Sequence, residues 1–382
     1  MNDSAASAVY PAGGPAATRL RLEVVAGAED FKQLAPEWRA LQKETPRPNI
    51  FLSWDWCWTW WQHFGKRGQL RIVTARTAQG KLAGLAPLHV VRRGPLRARC
   101  LEFLGYRGSN VCADHLDFLA AGAERESVVG ALWEQVRRLP GWDMAALASV
   151  AEDSPLRALW PQVRMKAVAA PGESCYYLPL PATAADLWDY LRREHAGTYA
   201  NQTRDRRQMQ RKFDLQFVPV TEAAAVPEAM TELARLHGLA HGRNGIPGSF
   251  ALPEYRAFHD ELATALAARG ELYLARLLWK GETAAVIYSF IAGRTMYFYQ
   301  SGFDPAKSGA GKLLLGWVIE DAVTRLGMRE FDFLRGDEPY KTQWTNQRRT
   351  TADLRAWRRT PRAWLHHAVS LNRDVLRRRL AR

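Results

Sequence analysis

The sequence predicts an α+β protein built as two similar halves, each a mostly antiparallel sheet flanked by helices. Three observations carry this. Short alternating strands recur in runs with turn residues between them, amphipathic helices of 12 or more residues interrupt those runs, and the whole order repeats after about 180 residues.

In the first half, "RLRLEVVAG" (19–27) alternates as a strand does. Residues 28–44 follow with apolar positions at helical spacing behind Glu29 and Asp30, which suit a helix N-terminus. Residues 53–65 form a second helix dense in tryptophan; its Trp54, Trp56, Trp58, Trp60 and Trp61 pack a core or stack on sugar rings. Strands at 70–76 and 82–91 flank the "AQGK" turn, a third covers 100–105, and a helix over 124–139 leads to a strand at 143–150. The second half runs helix (184–213), strand (215–220) and two helices (222–241, 253–269). Three consecutive strands (271–279, 283–293, 295–302), a helix (309–326) and a strand (329–336) complete it. "PLPATAAD" (179–186) marks the expected boundary, giving domains at 19–180 and 181–358, a disordered arm at 1–18 and a basic helix at 359–382.

Composition narrows the function. With 382 residues, 47% hydrophobic and 15 Trp, the chain can fill real cores. The first 18 residues lack the basic and apolar segments of a secretory leader, and no apolar run nears the roughly 18 residues of a membrane span. Cys57, Cys100, Cys112 and Cys175 are scattered, which argues against a disulfide framework or zinc site and makes a reducing cytoplasm the expected compartment. The net charge of +14 is concentrated: residues 347–382 hold eleven Arg against Asp353 and Asp374, and residues 191–212 hold seven Lys/Arg against Glu194 and Asp205. Such clusters favour anionic partners, or are simply solvated faces. The stretch 361–380 has the pattern of a basic amphipathic helix, suited to an anionic inner-leaflet surface or to docking on its own domain.

Metal readings find little support. Asp114, His115 and Asp117 cluster, and His237 and His241 stand four apart on a helix, yet neither group has further ligands at suitable spacing. No metal is expected.

The chemistry centres on "AKSGAGKL" (306–313), placed between a strand and a helix whose stripe is Leu315, Val318, Ile319, Ala322 and Leu326. Glycines at a helix start let backbone approach a ligand, and free N–H groups with the helix dipole attract phosphate. A nucleotide P-loop needs a Ser/Thr hydroxyl where Leu313 stands, and it follows a parallel strand. A GxGxxG fingerprint is absent.

The strand, "SGAG" turn, helix and strand resemble the acyl-CoA site of the GNAT acyltransferase superfamily. Gly309 and Gly311 match its glycine pattern, whereas Ala306 stands where Arg or Gln is usual and Lys307 or Lys312 would have to supply charge. The wider stretch 297–344 is similar to the GNAT-like branch associated with cellulose and exopolysaccharide biosynthesis. Asp332, Phe333, Leu334, Gly336, Glu338, Tyr340, Lys341 and Trp344 carry that likeness. "NIFLSWDWCWTWW", "LAPLHV" and "DHLDFL" extend it into the first half, and the duplicated architecture also resembles Fem-type aminoacyl transferases.

The resemblance implies two tandem GNAT-like domains, with a donor site only in the second. Acetyl-CoA or another acyl-CoA would be the donor co-substrate, held by Tyr299, Gln300, Ser301, Ser308, Gly309, Gly311 and Lys312. Tyr340 would protonate the leaving thiolate, or else pack the core. Glu338 would act as base, or stand as a loop acid paired with Lys341. Asp332, Arg335 and Lys341 would contact the acceptor, Asp332 otherwise pairing with Arg335. The implied function is acyl transfer to an amine, on an amino sugar or another precursor of surface polysaccharide, in the cytoplasm or at the inner membrane. Two alternatives stand beside it: a Fem-like transferase using charged tRNA, and a non-catalytic adaptor of a polysaccharide synthase.

Overall fold

The computed structural model describes residues 8–10, 19–106, 111–242 and 248–365. Within the disordered arm expected at 1–18, Ala8–Tyr10 instead form a short strand paired with residues 20–22; the rest of the arm and the larger part of the expected C-terminal helix lie outside the described residues. Two compact units emerge, one holding the described residues up to Glu173 and from Thr350 onward, the other Ser174–Arg349.

The first unit contains β1 (Ala8–Tyr10), β2 (Leu20–Val25), α1 (Ala28–Gln33), α2 (Ala35–Glu44) and α3 (Trp54–Phe64). Then come β3 (Gln69–Leu70), β4 (Ile72–Arg76), β5 (Leu82–Ala86), β6 (Leu88–Arg93), β7 (Ala98–Phe103), β8 (Leu119–Ala120), α4 (Arg125–Arg138), β9 (Met144–Val150) and α5 (Pro155–Leu159). The single helix expected over 28–44 divides at Leu34, where Pro36 opens α2 and cannot donate to the preceding turn. The strand expected over 82–91 divides at Pro87 for the same reason, and β5 and β6 join different sheets. The tryptophan-rich helix is core. Trp54, Trp56 and Trp60 are buried, and the indole N–H groups of Trp54 and Trp56 donate to the Phe31 and Gly105 carbonyls.

Strand β10 (Lys166–Pro179) carries the chain into the second unit. That unit holds α6 (Ala184–Glu194), α7 (Ala196–Phe213), β11 (Leu215–Pro219), α8 (Val226–Gly242), α9 (Pro253–Ala267), β12 (Leu272–Trp279), β13 (Glu282–Ala292) and β14 (Thr295–Phe303). Helix α10 (Ala310–Thr324) and β15 (Glu330–Arg335) complete it, and β16 (Arg348–Trp357) carries the chain back. Strand order in the second unit is β11-β12-β13-β14-β15-β10, antiparallel except for the parallel pair β14/β15.

The two units share one plan. A parallel pair with a helix between its strands ends each meander, β7/α4/β9 in the first and β14/α10/β15 in the second. A non-glycine residue in the left-handed region sits near the end of each final strand, Ser149 (φ 55°) and Leu334 (φ 59°). The outer partner of each is exchanged: residues 175–179 of β10 pair with β15, and residues 352–357 of β16 pair with β9. The division therefore differs from the single boundary expected near 179–186. The sequence pattern does not announce strands β10 and β16, and the pairing of β16 with β9 puts residues from Thr350 in the first unit.

Candidate acyl-donor site

The site grows from a break in strand pairing. β14 and β15 run in register only from Thr295 opposite Glu330 to Tyr297 opposite Asp332. One residue later a β-bulge shifts the β13/β14 register between Tyr288 and Ser289, and β14 turns away from β15. A wedge opens whose β14 backbone groups have no β15 partner, leaving them for an extended ligand. A cavity of about 480 Å³ fills this wedge, lined by Ile287, Phe298, Ser301, Phe303, Gly309, Gly311, Lys312, Leu315, Tyr340, Gln343 and Trp344.

At one end stands the start of α10. Gly309 is its N-cap at φ 86°, a conformation that a side chain disfavours. Asp304 accepts from the Ala306 N–H and fixes the turn, while Ala310 and Lys307 close it. The Gly311 and Lys312 N–H groups donate to no backbone carbonyl among the described residues. No acid occupies the first turn of α10, and the Lys312 ammonium has no ion-pair partner among the described residues. Lys307 is spent on Glu282 at 2.8 Å. Backbone N–H groups, the helix dipole and one lysine here make surroundings suited to an anion. In the first unit the corresponding helix α4 starts behind Glu124 and carries Glu126 in its first turn, which disfavours phosphate.

Tyr340, also in the lining, packs edge-on against Phe298 and Phe333. Burial, with the Glu338 charge nearby, pushes its phenol above the ordinary tyrosine range, so it keeps its proton.

The structure sorts the residues expected from sequence. Ser301, Gly309, Gly311, Lys312 and Tyr340 meet in the cavity. Ser308 is exposed on the turn beside it. Tyr299 and Gln300 do not line it: the bulge turns both to the opposite face, Tyr299 among His259, Tyr288 and Phe290, and Gln300 toward the Tyr255 hydroxyl. Phe298 takes the place given to Tyr299.

The acceptor residues are corrected too. Lys341 is 1% exposed, and its ammonium donates to the carbonyls of Leu334, Arg335 and Gly336 and to Glu338, so it has no donor left for substrate. Glu338 is the loop acid of that pair, at 2.8 Å and half exposed. Asp332 is fully buried, accepts from the Leu334 N–H at 2.7 Å and faces Arg349 at 3.6 Å. Arg349, bonded to both Glu330 oxygens and stacked on Tyr177, is the arginine that sequence reading missed. Arg335 ends β15 opposite Cys175 and is absent from the cavity lining.

The metal readings dissolve into packing. Asp114 accepts from Ser149 Oγ and Asp117 from Ser154 Oγ, burial pushing the Asp117 carboxyl up to about 7. The His237 and His241 rings lie 4.3 Å apart, and burial with the His241 charge pushes His237 down to about 4. No cluster of three metal-ligating side chains occurs among the described residues.

Helices α6 and α7 pack on α10 as a further layer. Gln202 donates to the Lys312 carbonyl at 2.9 Å, and Gly316 gives it room, since a Cβ there would lie 2.3 Å from the Gln202 amide. Arg206 pairs with Glu320 and lies over the Trp188 and Trp317 rings. Thr198 Oγ1 donates to the Gln343 carbonyl at 2.6 Å, tying α7 to the segment after β15.

A meander, a bulged strand splayed from its parallel neighbour and a glycine-capped helix define a class. Residues 196–342 match the model of the "Acetyltransferase (GNAT) domain" family. No protein of curated function matches the sequence significantly. Similar solved structures include FemX, at 10% identity and TM-score 0.62 over 87% of this chain and 98% of that one. Another is a conserved protein of unknown function from Bacteroides thetaiotaomicron, at 11% identity and TM-score 0.56 over 88% and 99%. The L-PGS of Bacillus licheniformis has 11% identity and TM-score 0.53 over 88% and 93%. At such identities the likeness is one of fold alone, an α+β fold shared over most of the chain.

Proposed function

We propose that the protein transfers an acyl group from acyl-CoA to an amine, with the donor in the second unit's wedge. One observation carries this reading: one mostly apolar cavity is lined both by the start of α10, with its free N–H groups and Lys312, and by Tyr340, whose phenol keeps its proton. A CoA thioester has the matching sequence of groups, a diphosphate, an amide-bearing arm and a reactive thioester. The unpaired backbone of β14 suits the amides, and Phe298, Leu315 and Trp344 suit the methylenes.

In the step itself, the amine nitrogen attacks the thioester carbonyl and the C–S bond breaks. The amine's surplus proton leaves to solvent, and the departing thiolate takes the Tyr340 proton. Glu338 has no part in this scheme because Lys341 holds it. For the acceptor we propose an amino sugar or related precursor of surface polysaccharide, supported by the 297–344 stretch and its likeness to the exopolysaccharide-associated branch. We place the reaction in the cytoplasm, at or near the inner membrane. The test is thiol release from acetyl-CoA and longer acyl-CoAs with a panel of amino sugars. Acceptor-dependent release supports the reading, and none with any donor contradicts it.

A second reading has its own support. α7 carries Arg204, Arg207, Arg211 and Lys212, and the fold is that of FemX. A transferase using charged tRNA would bind tRNA with a steep salt dependence that weakens when these side chains are neutralised.

A further inference from the structure

Beside the donor cavity lies a second one of about 410 Å³, lined by Glu194, His195, Ala196, Gly197, Thr198, Asn201, Lys312 and Gln343. Lys312 and Gln343 line both cavities, so the second adjoins the anion end of the first. Three features give it a chemistry. The 18-residue helix α7 begins here without a side-chain cap, and its Ala196, Gly197 and Thr198 N–H groups donate to no backbone carbonyl among the described residues. His195, only 9% exposed, spends Nε2 on the Tyr190 hydroxyl, while its Nδ1 has no partner among the described residues. Lys312, in the first turn of α10 and without an ion-pair partner among the described residues, lines this cavity as well as the first.

These parts are held in place. Gln202 bonds the Lys312 carbonyl and Thr198 bonds the Gln343 carbonyl, locking the two helix starts side by side. The acid in this lining is Glu194, an exposed residue at the end of α6. Two helix N-termini, a lysine and a buried imidazole make a seat for a second anionic group a short step from the first.

We propose that this cavity binds the 3′-phosphate of the CoA donor, so that α7, outside the strand–α10 motif, selects CoA over its dephosphorylated form. The inference rests on the acyl-CoA reading above and adds to it the source of donor selectivity. Within it, the diphosphate lies against Gly309–Lys312 and the ribose phosphate turns toward Gly197, with Lys312 serving both.

The experiment compares calorimetric binding of acetyl-CoA and 3′-dephospho-acetyl-CoA to the wild-type protein and to Gly197→Asp. Open space surrounds Gly197, and a carboxylate suits the first turn of a helix, so this variant folds while its charge fills the seat. The expected result is acetyl-CoA bound roughly tenfold or more tightly than the dephospho form by the wild type. Gly197→Asp erases that preference, weakening acetyl-CoA binding far more than dephospho binding. Equal wild-type affinity for the two ligands overturns this proposal and leaves the acyl-CoA reading standing. Binding of neither overturns that reading, and this one falls with it.

Discussion

Lys341 Nζ lies 2.8 Å from the Glu338 carboxylate and also binds the carbonyls of Leu334, Arg335 and Gly336, where β15 leaves its sheet. One buried ammonium therefore fixes the segment that presents Tyr340 to the cavity. Lys341→Met leaves three carbonyls and a carboxylate without their donor, and about 3 kcal/mol of stability should be lost. Glu338→Gln should cost less than about 1 kcal/mol, since that partner is half exposed. Urea denaturation of both variants checks the order. A larger loss from Glu338 would mean the lysine is held mainly by its ion pair.

Tyr340→Phe keeps the packing against Phe298 and Phe333 and removes only the proton. Turnover should fall by about 10²-fold with KM for acyl-CoA little changed. Because the phenol lies above the usual tyrosine range, this proton donor stays protonated through pH 10. The wild-type rate should show no alkaline decline from this group below that pH. A KM effect with unchanged kcat would make Tyr340 a packing residue.

The β14 bulge predicts opposite outcomes at neighbouring positions. Ser301→Trp fills the cavity and should raise KM for acyl-CoA by about tenfold or more, whereas Tyr299→Leu, on the other face, should leave KM unchanged while costing about 1–2 kcal/mol of aromatic packing. Steady-state kinetics with thermal melts of both variants separates the two faces. The reverse pattern would place the donor on the His259 side.

His89 in the first unit is buried beside Trp60 with neither ring nitrogen hydrogen-bonded among the described residues, and burial with the Arg93 charge pushes it down to about 3. The unfolded chain takes up this proton near pH 6.5, the folded one only near 3. The group's stability contribution is therefore complete above pH 6.5 and is lost as pH falls from there toward 3. His89→Leu should flatten the decline of Tm over that window. An unchanged slope would show that other groups set the acid limit.

The glycine loop was legible because a helix N-cap at φ 86° needs glycine, and the residue order around it shows. The meanders were legible from alternation. Alternation also misled at Tyr299 and Gln300, because one bulge residue shifts side chains to the other face and leaves no trace in hydrophobic pattern. Lys341 and Asp332 were assigned to substrate because charged residues near a site invite that reading. Lys341 instead holds the Leu334, Arg335 and Gly336 carbonyls with Glu338, and Asp332 holds the Leu334 N–H and faces Arg349; Leu334 is a non-glycine residue in the left-handed region that no local motif announces. The exchange of β10 and β16 and the seat on α7 depend on pairings far apart in sequence. Only the folded chain brings Thr198 to Gln343 and Gln202 to Lys312.

The central claim, a CoA thioester in the second unit's wedge, is tested most directly by calorimetric titration of acetyl-CoA and longer acyl-CoAs into the wild type, Gly309→Glu and Lys312→Glu. Lys312→Glu reverses the charge at the start of α10 without backbone strain, so it guards against a folding defect at Gly309. The account predicts roughly micromolar wild-type binding, weakened by at least about tenfold in each variant. A wild type that binds no CoA thioester, or variants that bind as well as it does, would contradict the account.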